Sequence, residues 1–391
     1  MKVALVSPDD LSSVLFCKEI ILLLRDHYKA DVYVLGDVYD RIGCYAETIR
    51  SWGVRFVPIK MERYIDPVKD LKFFESMRRF FGEKRVQAVI TNCTKPNIYG
   101  PMAAKCAGVG NVLCSFWGKG AVFGGRNGLR GGILKGTLLS LYYCAFRSSS
   151  MVWFTNHSDY DYFLRNRIVK KAKSIVTKNY VDTEDYRPDG VPMERIAELR
   201  QEFGLRDGDA VVIMVGRLVW AKGVREFVEA SKLLKERLPF VKFIFVGPKD
   251  DGALDGVPES YLRENEINAN FVWTGFRKDV KDLYALADLA VLPSYYKEGG
   301  FPRGLIEPMA MGKPVIAADT EECRGPVEDG KNGYLVPVKD PEALAKAIEG
   351  IMLNRQMKED FGLYSRLKAV RDFDEKVIVG KVLEAFMSSL S

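Results

Sequence analysis

Short apolar runs alternate with longer amphipathic stretches along the whole chain. In the first half the runs KVALVSP, DVYVLG, VRFVPI, AVITN, NVLCSFW and MVWFT are separated by helical patterns such as SSVLFCKEIILLLRDHY and the segment Pro67 to Phe81. In the second half VVIMVG, VKFIFVG, ANFVWTG, LAVLPS, PVIAAD and GYLVPV play the same part. Continuous apolar runs are what a parallel strand covered on both faces requires, and strand–helix alternation predicts doubly wound parallel sheets. The pattern breaks at YRPDGVP and resumes after the polar helical stretch MERIAELRQEFGLRDGD, which places a boundary between Tyr186 and Gly208. The expectation is an α/β chain with Rossmann-like domains at 1–190 and 191–373 and a closing helix over 374–391 that returns to the first domain.

Length supports two cores, because 391 residues exceed the roughly 250–300 at which a single hydrophobic core stops growing. Seven cysteines, an odd number without paired spacing, argue against a disulfide framework. Cys17, Cys106 and Cys144 read as buried small hydrophobes, and reducing cytoplasm is the simplest compartment. The opening MKVALVSP reads as a first strand and not a signal peptide, and no run reaches the 18 apolar residues of a membrane span. The first turn, SPDDLSS, lacks the glycine fingerprint of a dinucleotide site.

Charge is shared unevenly. Residues 1–190 hold 29 Lys+Arg against 19 Asp+Glu, a net of +10, and residues 191–391 hold 29 against 33, a net of −4; together they give the overall +6. Within the basic half, GGRNGLRGGILKGTLLSLYYCAFR combines Arg126, Arg130 and Lys135 with glycines and bulky apolar side chains. That composition suits an anionic membrane surface or a lipid-diphosphate acceptor. The competing reading is a loop followed by a core helix from about Ile133 to Phe146. Nucleic acid is disfavoured, since the net charge is modest and no nucleic-acid motif occurs.

The densest candidate chemistry lies from Tyr295 to Gly312, YYKEGGFPRGLIEPMAMG, after an expected strand over Leu289 to Ser294. Glu298 precedes a glycine turn, Glu307 falls inside the helix that Gly304 opens, and the N–H groups from Phe301 to Leu305 face any anion bound there. Such strand ends are where open α/β sheets place their ligands. Upstream, the strand Val211 to Val215 runs into Gly216, Arg217 and Lys222 before another helix. A rigid guanidinium fork and a flexible ammonium together suit a diphosphate. The plainer alternatives are glycines that only shape a tight turn and charges that only solvate a surface.

These motifs, GRLVWAKG, GFRKDV, PSYYKEGGFPRGLIEPMAMGKPV and DGKNGYLVPV, resemble the donor domain of retaining glycosyltransferases of family 4, the glycosyl transferases group 1, with the GT-B fold of two Rossmann-like domains facing a cleft. Within that family they are most similar to the branch that builds polysaccharides and lipid-linked oligosaccharides. The resemblance implies a hexosyl- or N-acetylhexosaminyl-type transferase of the EC 2.4 class that uses a UDP- or GDP-sugar and retains anomeric configuration. It implies that Arg217 and Lys222 hold the diphosphate, Glu298 contacts the transferred sugar and Glu307 bonds the ribose hydroxyls. Phe276 and Arg277 lie beside the base in this scheme, and the backbone of Gly300, Phe301, Pro302, Gly304 and Leu305 meets sugar hydroxyls and the distal phosphate. No cofactor or metal is then required, and the expected acceptor is a glycan or a lipid-diphosphate-linked one; cysteine usage sets the expected place as the cytoplasm, and the basic stretch of the first half as the inner membrane face.

Two departures stand out. Eight residues separate Glu298 from Glu307 where the family has seven, which asks a glycine at 299 or 300 to absorb a bulge at positive φ. Where many relatives carry His-Gly in the acceptor half, this chain has Trp117 and Gly118. Of its two histidines, His27 sits in the first helical pattern and His157 at a strand end, so His157 and Trp117 are the acceptor-side candidates, against capping and core roles respectively. A sugar-nucleotide epimerase of similar fold and a non-catalytic nucleotide-sugar-binding homologue are the alternatives to a transferase.

Overall fold

The computed structural model describes residues 1–39, 45–62, 64–118, 129–250, 253, 255–268, 270–296 and 300–389. The chain divides into two compact units, residues 1–178 with 376–391, and residues 179–375.

The first unit runs β1 (Lys2–Asp9), α1 (Asp10–Asp26), β2 (Asp31–Asp37), α2 (Ala46–Ser51), β3 (Arg55–Pro58), α3 (Pro67–Lys84), β4 (Ala88–Asn92), α4 (Thr94–Cys106), β5 (Asn111–Phe116), α5 (Leu129–Ser148), β6 (Met151–Phe154), α6 (His157–Arg165) and β7 (Ser174–Val176). Its seven strands are ordered β3-β2-β1-β4-β5-β6-β7 and pair in parallel. The second unit runs α7 (Met193–Glu202), β8 (Ala210–Val215), α8 (Val224–Leu234), β9 (Val241–Val246), α9 (Glu259–Asn268), β10 (Phe271–Trp273), α10 (Val280–Leu286), β11 (Leu289–Leu292), α11 (Arg303–Ala310), β12 (Val315–Ala318), β13 (Gly333–Val336), α12 (Pro341–Met352) and α13 (Arg355–Phe373). Its six strands, also parallel, follow the order β10-β9-β8-β11-β12-β13. The last helix, α14 (Glu375–Ser388), belongs to the first unit from Lys376 onward and buries Ile378, Val379, Val382, Leu383 and Phe386.

Both faces of the second sheet are covered, as its unbroken apolar runs require. Along β8, Val212 and Met214 enter one core with Phe227 and Phe243, whereas Val211 and Ile213 enter the other with Leu305 and Met309. Alternate residues of one strand thus serve opposite cores. Each such side chain contributes roughly 1.5–3 kcal/mol when fully removed from water.

The structure corrects several local expectations. β11 stops at Leu292, short of Ser294, because Pro293 brings no N–H to a ladder. α5 begins at Leu129, a turn before Ile133, and it turns Tyr142, Ala145 and Phe146 inward. The intervening Cys144 therefore faces outward and is exposed; Cys106, in the last turn of α4, is exposed too, and only Cys17 of the three is buried. β7 was not anticipated: its three residues, Ser174, Ile175 and Val176, are half-buried and carry no strong apolar signal.

Candidate functional site

In the second unit the chain steps outward from β8 to β9 and β10, then returns to lay β11 on the other side of β8. That reversal creates a crevice at the carboxyl ends of β8 and β11, the ligand position of open α/β sheets. Gly216, Arg217 and Lys222 follow β8, and the segment 300–307 follows β11.

Two glycines let the loops close on one another. Gly223 opens α8 at φ +85°, and a Cβ there would lie 2.3 Å from the carbonyl oxygen of Pro293 at the end of β11. At Gly304 a Cβ would lie 2.9 Å from the carbonyl oxygen of Val215 at the end of β8. Two bonds join the same loops: Tyr295 N–H donates to the Ala221 carbonyl at 2.9 Å, and Ser294 Oγ donates to that carbonyl at 3.4 Å. The Lys222 stem runs past Gly216, where a Cβ would still rest in ordinary contact, 3.7 Å from the lysine Cδ.

Two cations of this crevice, Arg217 and Lys222, meet on one ring. The Arg217 guanidinium stands 5.1 Å from the centre of Tyr296, and the Lys222 ammonium 5.3 Å from it. Arg217 also donates to Asp250 Oδ2 at 2.9 Å. Across the crevice α11 presents its N-terminus, where helical N–H groups lack intrahelical partners and the dipole favours an anion. Pro302 is its N-cap residue, and Gly300 before it has φ +122°, a backbone that residues with side chains rarely adopt. Phe301 is fixed by Asn179 Nδ2, which donates to its carbonyl at 2.7 Å, and by its ring packing on Phe373 at 5.7 Å. Leu305 is fully buried under the turn. Glu298 lies outside the described residues.

Glu307 sits one turn into α11 with its side chain 10% exposed and accepts from Arg303 Nε at 2.7 Å. Burial works against the Arg303 charge, and the Glu307 carboxylate more than offsets it, so the arginine stays protonated. Burial, then the Glu307 charge, also pushes the phenols of Tyr186 and Tyr284 up, which keeps both neutral.

Phe276 and Arg277 follow the end of β10. Phe276 is about half exposed, whereas Arg277 is held by Glu202 and by Asp279, the latter at 2.7 and 2.8 Å. In the first unit, Trp117 and Gly118 follow β5. The Trp117 ring is half-buried, 5.5 Å from Phe16 and 5.8 Å from Trp153, and its Nε1–H donates to Ser115 Oγ at 2.7 Å. His157 is the exposed first residue of α6; the helix is capped by Asn156, which accepts from Asp159 N–H at 2.7 Å. Tyr296, Arg303 and Asp250 belong to the crevice and were not singled out from the sequence. An i,i+4 Arg–Glu pair was a readable signal for Arg303, and Asp250 had none.

Residues 195–368, all within the second unit, match the family model of glycosyl transferases group 1. Over 388 residues, 99% of this chain and 98% of the relative, the sequence is 25% identical to the N,N'-diacetylbacillosaminyl-diphospho-undecaprenol alpha-1,3-N-acetylgalactosaminyltransferase of Campylobacter jejuni. It is 24% identical, over 83% of this chain and 84% of the relative, to the UDP-Gal:alpha-D-GlcNAc-diphosphoundecaprenol alpha-1,3-galactosyltransferase of Escherichia coli. Among solved structures, Anabaena Alr3699/HepE in complex with UDP aligns with a TM-score of 0.76 at 21% identity, covering 99% of this chain and 100% of that one. A glycosyltransferase from Rickettsia africae aligns with a TM-score of 0.79 at 17% identity, covering 100% and 99%. The fold is GT-B. The chain carries a glycosyl transferases group 1 domain, over residues 195–368, on that fold.

Proposed function

We propose that the second unit binds a UDP- or GDP-sugar and that the enzyme transfers the sugar, with retention as in family 4, to a lipid-diphosphate-linked glycan taken by the first unit. The observation that carries this reading is the meeting of Arg217 and Lys222 with the N-terminus of α11 and Glu307 at one crevice. As the bond between sugar and diphosphate breaks, negative charge grows on the leaving nucleotide. Two cations and the aligned N–H groups of α11 are already placed to stabilise it, which lowers the barrier without reorganisation and calls on no metal. Glu307, an acceptor-only carboxylate, suits the two hydroxyls of a ribose. Glu298 contacts the transferred sugar in this scheme. Phe276, half exposed, and Arg277, braced by Glu202 and Asp279, lie beside the base in this scheme.

The acceptor reading draws on the relatives, both of which are named for diphosphoundecaprenol-linked substrates. Among the described residues no helix is long and apolar enough to cross a membrane. Peripheral docking on an anionic surface is supported by the basic first half and by exposed Ile133 and Tyr143 on α5. Tyr64 and Ile65, exposed before α3, and Val68 and Leu71, exposed in its first turns, add to the apolar surface of the same unit. A thermal-shift screen with UDP, GDP and ADP tests the donor half: a ligand at ~100 times its dissociation constant adds roughly 2.7 kcal/mol of stability. No shift with any of the three would remove the donor site from the account.

A further inference from the structure

Tyr296 is a side chain that both cations share. Its ring centre lies 5.1 Å from the Arg217 guanidinium carbon and 5.3 Å from the Lys222 nitrogen. The Tyr296 backbone beneath the ring is anchored. Its own N–H is tied to Ser294 Oγ, whose hydroxyl reaches the Ala221 carbonyl at 3.4 Å, and the neighbouring Tyr295 N–H donates to that same carbonyl. The turn that carries Lys222 and the loop that carries Tyr296 are therefore one hydrogen-bonded unit.

Resting on the donor reading above, we infer that Tyr296 is a positioning residue: its π-face holds Arg217 and Lys222 together as a preformed clamp for the nucleotide diphosphate. Two positive groups that must bracket one diphosphate repel each other before it arrives. A carboxylate between them would relieve that repulsion but would cancel their charge and compete with the ligand. An aromatic face attracts each cation through its quadrupole and leaves the charge available to the diphosphate. Asp250 holds Arg217 as well, but it reaches only that cation in the contacts described and is an anion that the ligand must outbid. The Tyr296 hydroxyl also interacts with Arg217 and favours its charged form, but the attraction of the ring face does not depend on that oxygen, so a ring without it keeps the face.

The test is calorimetric titration of the parent protein with UDP, GDP and ADP, the tightest binder then serving as probe for Tyr296→Phe, Tyr296→Leu, Arg217→Ala and the double variant Tyr296→Leu/Arg217→Ala. Tyr296→Phe should bind within about twofold of the parent, and Tyr296→Leu roughly two- to thirtyfold more weakly, the range that cation–π attraction spans. In the Arg217→Ala background the same leucine should cost less, because half of what the ring holds is gone. A ring with a merely structural role gives the same loss in both backgrounds, and that result overturns the inference. So does a Tyr296→Phe variant as weak as Tyr296→Leu, or a Tyr296→Leu variant that binds like the parent while Arg217→Ala does not. If Arg217→Ala and Lys222→Ala both bind like the parent, or if the parent binds none of the three nucleotides, the donor reading itself fails and this inference with it. Melting temperatures of all variants near the parent's show that binding and not folding is being read.

Discussion

Arg303 and Glu307 face each other across one turn of α11, Nε donating to Oε1 at 2.7 Å, in a pair whose carboxylate side is nearly buried. The pair fixes one oxygen of Glu307. Glu307→Gln keeps the shape and an acceptor for Arg303 but removes the charge. Nucleotide affinity should then fall roughly tenfold to a hundredfold, the worth of a hydrogen bond to a charged group, whether or not a sugar is attached. Glu298→Gln should spare free-nucleotide affinity and depress transfer. Calorimetry with the free nucleotide that cannot tell the two variants apart would contradict the assigned roles.

Arg217→Ala removes a bidentate partner for the diphosphate, and Lys222→Ala its companion charge. Each should lower kcat/KM by about two orders of magnitude or more, since the contact strengthens as the leaving group gains charge. Steady-state rates at subsaturating donor check this, and turnover like the parent's in either variant would remove the residue from the clamp.

The crevice depends on two backbone approaches, and each can be opened with one methyl group. Gly223→Ala drives a Cβ into the Pro293 carbonyl at a φ of +85°, so it should cost roughly 1–3 kcal/mol or more of stability. Gly304→Ala presses on the Val215 carbonyl less severely, and its larger effect should fall on nucleotide affinity, because the N-terminus of α11 must shift. Thermal melts and titrations on the two variants should thus rank them in opposite orders.

A stability prediction follows from Glu328, which accepts from Lys368, Tyr364 and Lys331. Lys368 first, then Tyr364, holds its carboxyl down at about 2, below the usual value of roughly 4.3. A depressed carboxyl stabilises the fold above its unfolded pKa and loses that contribution as pH falls through the folded one. Glu328→Gln should therefore lower stability by roughly 1.5–3 kcal/mol at pH 7, with the deficit shrinking as pH falls toward 2. An equal deficit at pH 7 and pH 3 would show that the loss is not electrostatic.

Strands such as VVIMVG and VKFIFVG were legible because a sheet buried on both faces demands unbroken apolar runs, and their order of appearance was enough to define two Rossmann-like halves. Ser174 to Val176 was not, since three half-buried residues carry too little periodicity to separate from a loop. Cys106 and Cys144 were misjudged because an apolar neighbourhood in sequence does not say which 100° sector of a helix faces out. Arg217, Lys222 and Glu307 could be read as candidates from their places beside glycine turns at strand ends, and the structure puts Arg217 and Lys222 on one ring. Tyr296 as the meeting point of those two could not be read in that way. Its contacts join loops some 75 residues apart, and only the reversal between β8 and β11 brings those loops together.

The most direct test of the account is a transfer assay that combines UDP- and GDP-hexoses and N-acetylhexosamines with a short-chain polyprenyl-diphosphate sugar, reading glycolipid by mass and free nucleotide by coupled assay. The account predicts a glycolipid heavier by one sugar residue and an equal amount of nucleoside diphosphate with at least one donor, both lost in Arg217→Ala. A protein that binds these nucleotide sugars tightly yet releases no nucleotide, or that returns the same donor with an inverted hydroxyl, would contradict it.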